Sequence, residues 1–257
     1  MDNEYSNIAK LYDADNRAVF SADIDFYLKR AGRLGGKTLE LACGTGRIAI
    51  PLVEKGIPVW GLDYSSSMLD VMNEKIDRLS ADAQRRIHPM LGDLTSFSLS
   101  ERFKLIFIPF RSFQAIESDE QALQCLSCVY RHLEDEGQFI INVFKPRKEI
   151  GEWWLSSSER LDFESFLENG DRVTRHSIQR AYDLEKRLLY TDYTYRVYKS
   201  GGQVEQFRDS IRLRYFYEDD IRQLLAASGF TIKEEYGWYD GTPVHEGNEF
   251  IFVCGKA

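Results

Sequence analysis

The sequence predicts an α/β fold: a mostly parallel sheet with helices on both faces, and a separate antiparallel sheet inserted late in the chain. Three observations carry this. Between Thr38 and Phe144, short apolar strand-type runs alternate with helix-type stretches, the pattern of a doubly covered parallel sheet. Between Arg172 and Phe216, three longer runs alternate in residue type and are separated by turn text such as Gly201-Gly202. After Tyr217 the helix and strand patterns resume.

Taken in order, residues 1–37 read as helical. Tyr5, Ile8 and Tyr12 fall on one face, and a second stretch, Val19–Ala31, stops before Gly35-Gly36. Thr38–Ala42 is a buried-type strand, followed by a glycine-rich turn and a helix to about Lys55. Val59–Asp63 is the second strand. Ser65–Ser67 supplies helix-start hydroxyls, with Ser67-x-x-Asp70 as a capping box, ahead of a helix to about Leu79. Ile87–Leu91 and Leu105–Pro109 are the third and fourth strands. Ser118–Glu134 reads as a helix ending at Gly137, and Gln138–Phe144 as the fifth strand. From Lys145 the text is polar and helix-like until the three runs Arg172–Tyr182, Leu188–Tyr198 and Val204–Phe216. Tyr217–Ser228 is a helix closed by Gly229, and Phe230–Tyr236 with Glu249–Cys254 completes the main sheet as a hairpin-like pair.

Composition narrows the function. The 257 residues are 43% hydrophobic and 29% charged, with a formal net charge of −8. An acidic surface opposes phosphate neutralisation, so a nucleic-acid partner is not expected and a small-molecule substrate is. No apolar run reaches the ~20 residues of a membrane span, and Met1-Asp2-Asn3-Glu4 lacks the features of a secretory leader, which predicts a cytoplasmic protein with no membrane partner. The four cysteines are too few and scattered for a disulfide framework. Cys125-x-x-Cys128 lies in a helical stretch with no second pair, so no metal is expected.

The chemistry centres on Leu39-Glu40-Leu41-Ala42-Cys43-Gly44-Thr45-Gly46-Arg47. Gly44 and Gly46 follow a strand and precede a helix, where a ligand can approach the backbone closely. By spacing alone, Gly44-x-Gly46-x-x-Ala49 also fits a dinucleotide fingerprint with Asp63 as the ribose-binding acid. Three acids favour another ligand. Glu40 ahead of the turn would repel a pyrophosphate but suit an ammonium group. Asp63 ends the second strand, placed to accept ribose hydroxyls, and Asp93 in Gly92-Asp93-Leu94 can accept from an adenine amino group. This series suits a cationic nucleoside without phosphate.

These segments resemble a known family. Glu40-x-Ala-Cys-Gly-x-Gly, Gly61-Leu-Asp63-Tyr-Ser65-x-x-Met68-Leu69 and Gly92-Asp93-Leu94 are similar, in order and spacing, to the successive motifs of class I methyltransferases that use S-adenosyl-L-methionine (SAM). The resemblance continues through Phe107–Gln114 and Ser228-Gly229-Phe230, over about residues 1–145 and 215–257. It implies a Rossmann-like seven-stranded sheet over 38–145 and 216–257, an N-terminal helical lid over 1–37 and an inserted acceptor-binding subdomain over 146–215. It further implies methyl transfer from SAM to N or O of a small molecule, leaving S-adenosyl-L-homocysteine (SAH). The turn Ala42-Cys43-Gly44-Thr45-Gly46 would line the methionine moiety, and Asp63, Tyr64 and Met68 would bind the ribose and adenine. Gly92, Asp93 and Leu94 would read the adenine edge, and Pro109-Phe110-Arg111 would lie beneath the methyl group. Arg111 departs from the Asn or other small polar residue of many relatives. It reads equally as a contact for an anionic substrate and as a surface ion-pair residue. Tyr5-x-x-Ile8-Ala9-Lys10-x-Tyr12-Asp13 resembles the lid helix in which a tyrosine covers the donor, with Arg17 as a candidate for the SAM carboxylate.

The inserted sheet is similar in position to that of glycine N-methyltransferase and the amino-sugar N,N-dimethyltransferases, where it lines the acceptor pocket and serves in some as a homodimer contact. Parity places Tyr193 and Tyr195 on one face of the middle strand and Tyr190 and Tyr198 on the other. Candidate catalytic bases are His176 in the insert and His245 in the Trp238–Gly247 loop, with Glu246 beside it. Trp153 and Trp154 read either as a cap on the acceptor site or as packing on the insert. Two further readings stay open: an NAD-dependent oxidoreductase on the same glycine spacing, and a SAM-binding protein without catalysis.

Overall fold

A computed structural model describes residues 8–17 and 21–257. The strands in chain order are β1 (Thr38–Leu41), β2 (Val59–Asp63), β3 (Ile87–Leu91), β4 (Phe103–Ile108) and β5 (Leu133–Phe144). They are followed by β6 (Arg160–Phe166), β7 (Arg172–Asp183), β8 (Leu188–Tyr198) and β9 (Val204–Arg214), then β10 (Phe230–Tyr236) and β11 (Glu249–Lys256). Seven form one sheet in the order β10-β11-β5-β4-β1-β2-β3, and β6-β7-β8-β9 form a second, antiparallel sheet. In the larger sheet only β11 runs against its neighbours. The predicted fold class is therefore the observed one.

The helices are α1 (Ala9–Tyr12), α2 (Ile24–Leu34), α3 (Ala49–Glu54), α4 (Ser66–Ile76), α5 (Ala81–Gln84), α6 (Asp119–His132) and α7 (Glu218–Ala227). Both faces of the main sheet are sealed by apolar packing. On one face Phe103, Ile106, Ile108, Phe139 and Phe252 meet α6 and α7. On the other, Leu105, Phe107, Ile140 and Ile251 meet Tyr27 of α2 and Leu52 and Val53 of α3. Every residue of β1 is buried, as a central strand covered on both sides requires.

The structure corrects four local readings. The helix-like text after Lys145 forms one short 3₁₀ turn, Glu152–Trp154, and the strand β6. β6 hid because its inward face carries an acid as well as an apolar residue: beside buried Phe163, Asp162 accepts from Arg175 Nε (3.0 Å) and Ser177 Oγ (2.8 Å) of β7. α6 ends at His132, and Gly137 lies inside β5, where a Cβ would stand 2.9 Å from Leu133 Cδ1. The N-cap of α4 is Ser65, whose side chain accepts from Met68 N at 3.3 Å, so the Ser67–Asp70 capping box is not formed. The first helical stretch contracts to α1 within the described residues, and Tyr5 lies outside them.

Gln114 joins the two sheets. Its amide donates to Arg214 O at the end of β9 (2.8 Å) and accepts from Phe144 N at the end of β5 (2.8 Å). The antiparallel sheet is thereby hung from the C-terminal edge of the main sheet, above the turns that follow β1, β2 and β4.

Candidate active site at the strand ends

The turn after β1 is bent by three left-handed residues, Ala42 (φ 57°), Gly44 (φ 53°) and Gly46 (φ 79°). A Cβ on Gly46 would stand 3.0 Å from Met72 Cγ of α4, so this glycine lets helix and turn meet. At Gly44 a Cβ would meet nothing within 4 Å among the described residues. Gly44 N donates to Asp63 Oδ2 (2.7 Å) and Ser65 N to Asp63 Oδ1 (2.8 Å). The acid ending β2 thus fixes the turn to the start of α4. Burial raises its carboxyl above the usual value, against the pull of those backbone bonds.

Under the turn lies a buried charged cluster. Arg47 forks onto Asp23 with bonds of 2.5 and 2.7 Å, and Asp23 is fully buried. Glu40 of β1, also buried, takes the amide of Ala49, yet its Oε2 finds no partner among the described residues. The hydroxyls of Tyr27 and Tyr239, both buried, are likewise unpartnered. Burial pushes the Glu40 carboxyl well above the usual carboxylate range; Arg47 pulls it back, and Asp23 and Asp63 push it further up. Arg47 is bonded to Asp23 and acts on Glu40 only through space.

Asp93 follows β3 and accepts from Thr95 N and Thr95 Oγ1, both at 2.7 Å, which orients the carboxylate at the strand end. Gly92 N donates to Asp63 O at 2.9 Å, keeping the β2 and β3 ends together. Tyr64 is exposed beside them, Met68 is buried on the first turn of α4, and Leu94 packs on the core.

After β4, buried Pro109 leads into Phe110 (φ 51°) and Arg111 (φ 67°), two successive non-glycine residues in the left-handed region. Side chains from two other strands hold them there. Arg111 N donates to Asn142 Oδ1 (3.0 Å), Asn142 Nδ2 donates to Glu249 Oε2 (2.9 Å), and Arg111 Nε donates to Glu249 Oε1 (3.1 Å). Glu249 is only 2% exposed. Arg111 is therefore the partner of a buried acid, not of a surface one. Phe110 lies under the Arg47 guanidinium, 4.9 Å from ring centre to Cζ, linking this platform to the charged cluster.

The described part of the N-terminal segment bonds to the glycine turn and packs on the inserted sheet. Asp13, just past α1, accepts from Thr45 Oγ1 (2.6 Å) and pairs with Lys75, which also donates to Thr45 O (2.9 Å). Asp15 is gripped by Arg17 Nε at 2.8 Å and lies 3.6 Å from Arg175 of β7. Arg17 is thus engaged by its own segment. Ile8 and Leu11 pack against Phe163, Val173, Tyr195 and Val197 of the inserted sheet. Tyr193 and Tyr195 share the face of Arg175, as parity predicts, with Tyr193 4.7 Å from that guanidinium. Burial raises the Tyr12 phenol, with Arg47, Tyr195 and Arg175 around it, so the tyrosine ending α1 stands between the charged cluster and the insert.

The two candidate bases are not brought to this cluster. His176 pairs across strands with Thr194, on the opposite face from Tyr193 and Tyr195, and its Nδ1 lies 2.9 Å from Arg196 Nη1. His245 is 80% exposed beside Glu246, on a depression that also involves Lys145, Glu218 and Glu235. Trp154 stacks against Phe144 at 6.2 Å, which is packing at the root of the insert. Cys125 and Cys128 are buried, and among the described residues no group of His, Cys, Asp or Glu is placed to hold a metal. No helix among those residues is long and apolar enough to cross a membrane.

Five residues of the site escape motif reading: Asp23, Tyr27, Asn142, Tyr239 and Glu249. Asn142 left a signal, a polar residue inside the apolar run Phe139–Phe144 of β5.

Comparison with known proteins agrees with this geometry. Residues 38–137 match a family model described as a methyltransferase domain. A Geobacillus sp. (strain WCH70) protein, named a methyltransferase by inference, is 25% identical over 98% of this chain and 99% of its own length. The CcbJ methyltransferase from Streptomyces caelestis superposes with a TM-score of 0.77 at 22% identity, covering 99% of this chain and 98% of that one. SAM-bound CalS10, an amino pentose methyltransferase from Micromonospora echinaspora, superposes at 0.71 with 19% identity, covering 96% and 95%. The shared fold extends over nearly the whole chain.

Proposed function

We propose that this chain, which has the fold and central motif segment of the class I SAM-dependent methyltransferases, moves a methyl group from SAM to a nitrogen or oxygen of a small-molecule acceptor. The observation that carries the reading is the buried acid beside an ion pair under the glycine turn: Asp23 takes the fork of Arg47, and Glu40 Oε2 has no partner among the described residues. A ligand's ammonium group would favour the ionised form of that acid and pair with it, whereas a pyrophosphate would be repelled by it. The residues fit SAM. Glu40 and the turn would take the methionine end, Asp63 the ribose, and Asp93 with Tyr64 and Met68 the adenine.

SAM would supply a methyl group on a sulfonium leaving group. The chain's own work is alignment and exclusion of water. The Arg111–Asn142–Glu249 platform and the Tyr193/Tyr195 face of the insert border the space in which an acceptor would lie, and α1 shuts it from solvent. The sugar N-methyltransferase KedS8 from Streptoalloteichus sp., whose fold the chain shares, supports nitrogen as the target atom. An amine must attack in its neutral form, and neither His176 nor His245 is placed to take its proton, so we read the acceptor as arriving deprotonated from solvent.

Incubation with methyl-labelled SAM and a metabolite extract, with and without a fraction enriched in amines, tests this. Label should move to a small molecule and rise with the amine fraction. Label passing only to oxygen would overturn the choice of nitrogen, and no transfer from any extract would favour a SAM-binding protein without catalysis.

A further inference from the structure

The inserted sheet carries a buried arginine that lies outside both the charged cluster and the Arg111 platform. The guanidinium of Arg175 in β7 packs against the rings of Phe163 (5.2 Å) and Tyr193 (4.7 Å). Two acids from distant parts of the chain meet it there. Asp162 of β6 accepts from its Nε at 3.0 Å, and Asp15 of the N-terminal segment lies 3.6 Å from its Nη1. None of these three side chains is more than 9% exposed, so their charges are little screened.

The same segment is tied at its other side to the glycine turn. Asp13 accepts from Thr45 Oγ1 (2.6 Å), and Lys75 pairs with Asp13 while donating to Thr45 O (2.9 Å). Two residues span at most about 7 Å of chain, so there is little slack between Asp13 and Asp15. Around Asp15 the grip of the insert is broad. Asn16 Nδ2 donates to Glu164 O of β6 at 2.9 Å, and Ile8 and Leu11 pack on Phe163, Val173, Tyr195 and Val197. The segment is thus a short strap between two bodies, with Arg175 as the charged anchor on the insert and Thr45 as the anchor on the turn.

We propose that Arg175 is a positioning residue for the donor. By holding Asp15 it keeps Asp13 on Thr45, and it thereby sets how fast a donor seated on the Gly44–Gly46 turn is released, without touching that donor. The inference rests on the donor reading above.

Stopped-flow release of SAM from wild type, Asp13→Ala, Arg175→Met and the double variant tests it. Arg175→Met should release SAM about three- to tenfold faster, the scale for losing one ion pair, and Arg175→Lys should recover most of the wild-type rate. The double variant should be no faster than the quicker single one, because both substitutions free the same strap. Unchanged release in Arg175→Met, or rate factors that multiply in the double variant, would overturn the proposal. Hydrogen exchange of the ligand-free protein gives a second reading. The amides of Ala14 and Asp15 should exchange faster in Arg175→Met while those of β8 and β9 hold; quickening confined to the inserted sheet would overturn it. Should Arg175→Met not fold, Asp15→Asn, which leaves the Arg175–Asp162 pair in place, is measured instead with the same outcomes. Wild type that binds no SAM would overturn the donor reading itself, and the exchange measurement would still decide whether Arg175 anchors the strap.

Discussion

Arg47 closes a two-bond fork on Asp23 while Glu40, one strand away in the same buried cluster, keeps an oxygen without a partner among the described residues. In the proposed reading, the acid left over beside this ion pair takes the ammonium group of the donor.

The first prediction concerns Glu40 and pH. Its folded carboxyl is raised above the ordinary value, so in the ligand-free protein the folded state holds more protons than the unfolded one. Stability from this group is full below the ordinary carboxylate range and is lost as pH rises through the folded value. Glu40→Gln should flatten that decline in a series of thermal melts. Because a bound cation favours the ionised form, SAM binding should release protons and tighten with rising pH. Calorimetry in buffers of different ionisation enthalpy reads the release directly. The same variant should bind SAM about 1.5–3 kcal/mol more weakly.

Arg47→Met tests the ion pair itself. It leaves Asp23 and Glu40 buried without a counter-charge, for which a loss of about 3–5 kcal/mol is expected. Denaturant unfolding of the ligand-free protein measures it. A loss below 1 kcal/mol would show that solvent reaches the cluster.

Asn142→Ala should release the platform. Phe110 and Arg111 hold left-handed conformations that cost of order 1–3 kcal/mol each and persist through bonds such as Arg111 N to Asn142 Oδ1. With that acceptor gone, unfolding free energy should fall by about 1–3 kcal/mol. Hydrogen exchange at the Arg111 amide should quicken.

Asp13→Ala should loosen the N-terminal segment without touching the core. Asp13 joins that segment to Thr45 and Lys75. Thermal stability should hold within about 1 kcal/mol, while SAM dissociation speeds up severalfold in stopped-flow measurements.

The parts of this structure legible in the sequence are those set by local pattern. Strands β1–β5 and β7–β11 announce themselves by apolar runs or alternation, and the acids Asp63 and Asp93 stand where strands end. What was illegible depends on partners distant in sequence. β6 buries Asp162 against Arg175, so its inward face did not look apolar. Asp23 and Tyr27 lie in helical text that says nothing of the glycine turn they support. Glu249 reads as the plain start of a final strand until β11 is seen to insert between β5 and β10 and bring it to Arg111. Where the two histidines lie was not legible either: residue type suggests a base, whereas strand parity and exposure set them apart from the charged cluster.

The most direct test of the central claim is a pair of titrations on the unmodified chain, one with SAM and one with NAD, at the same pH. The account predicts that SAM binds with release of protons and that NAD, carrying a pyrophosphate, does not bind. NAD binding with no affinity for SAM would contradict it.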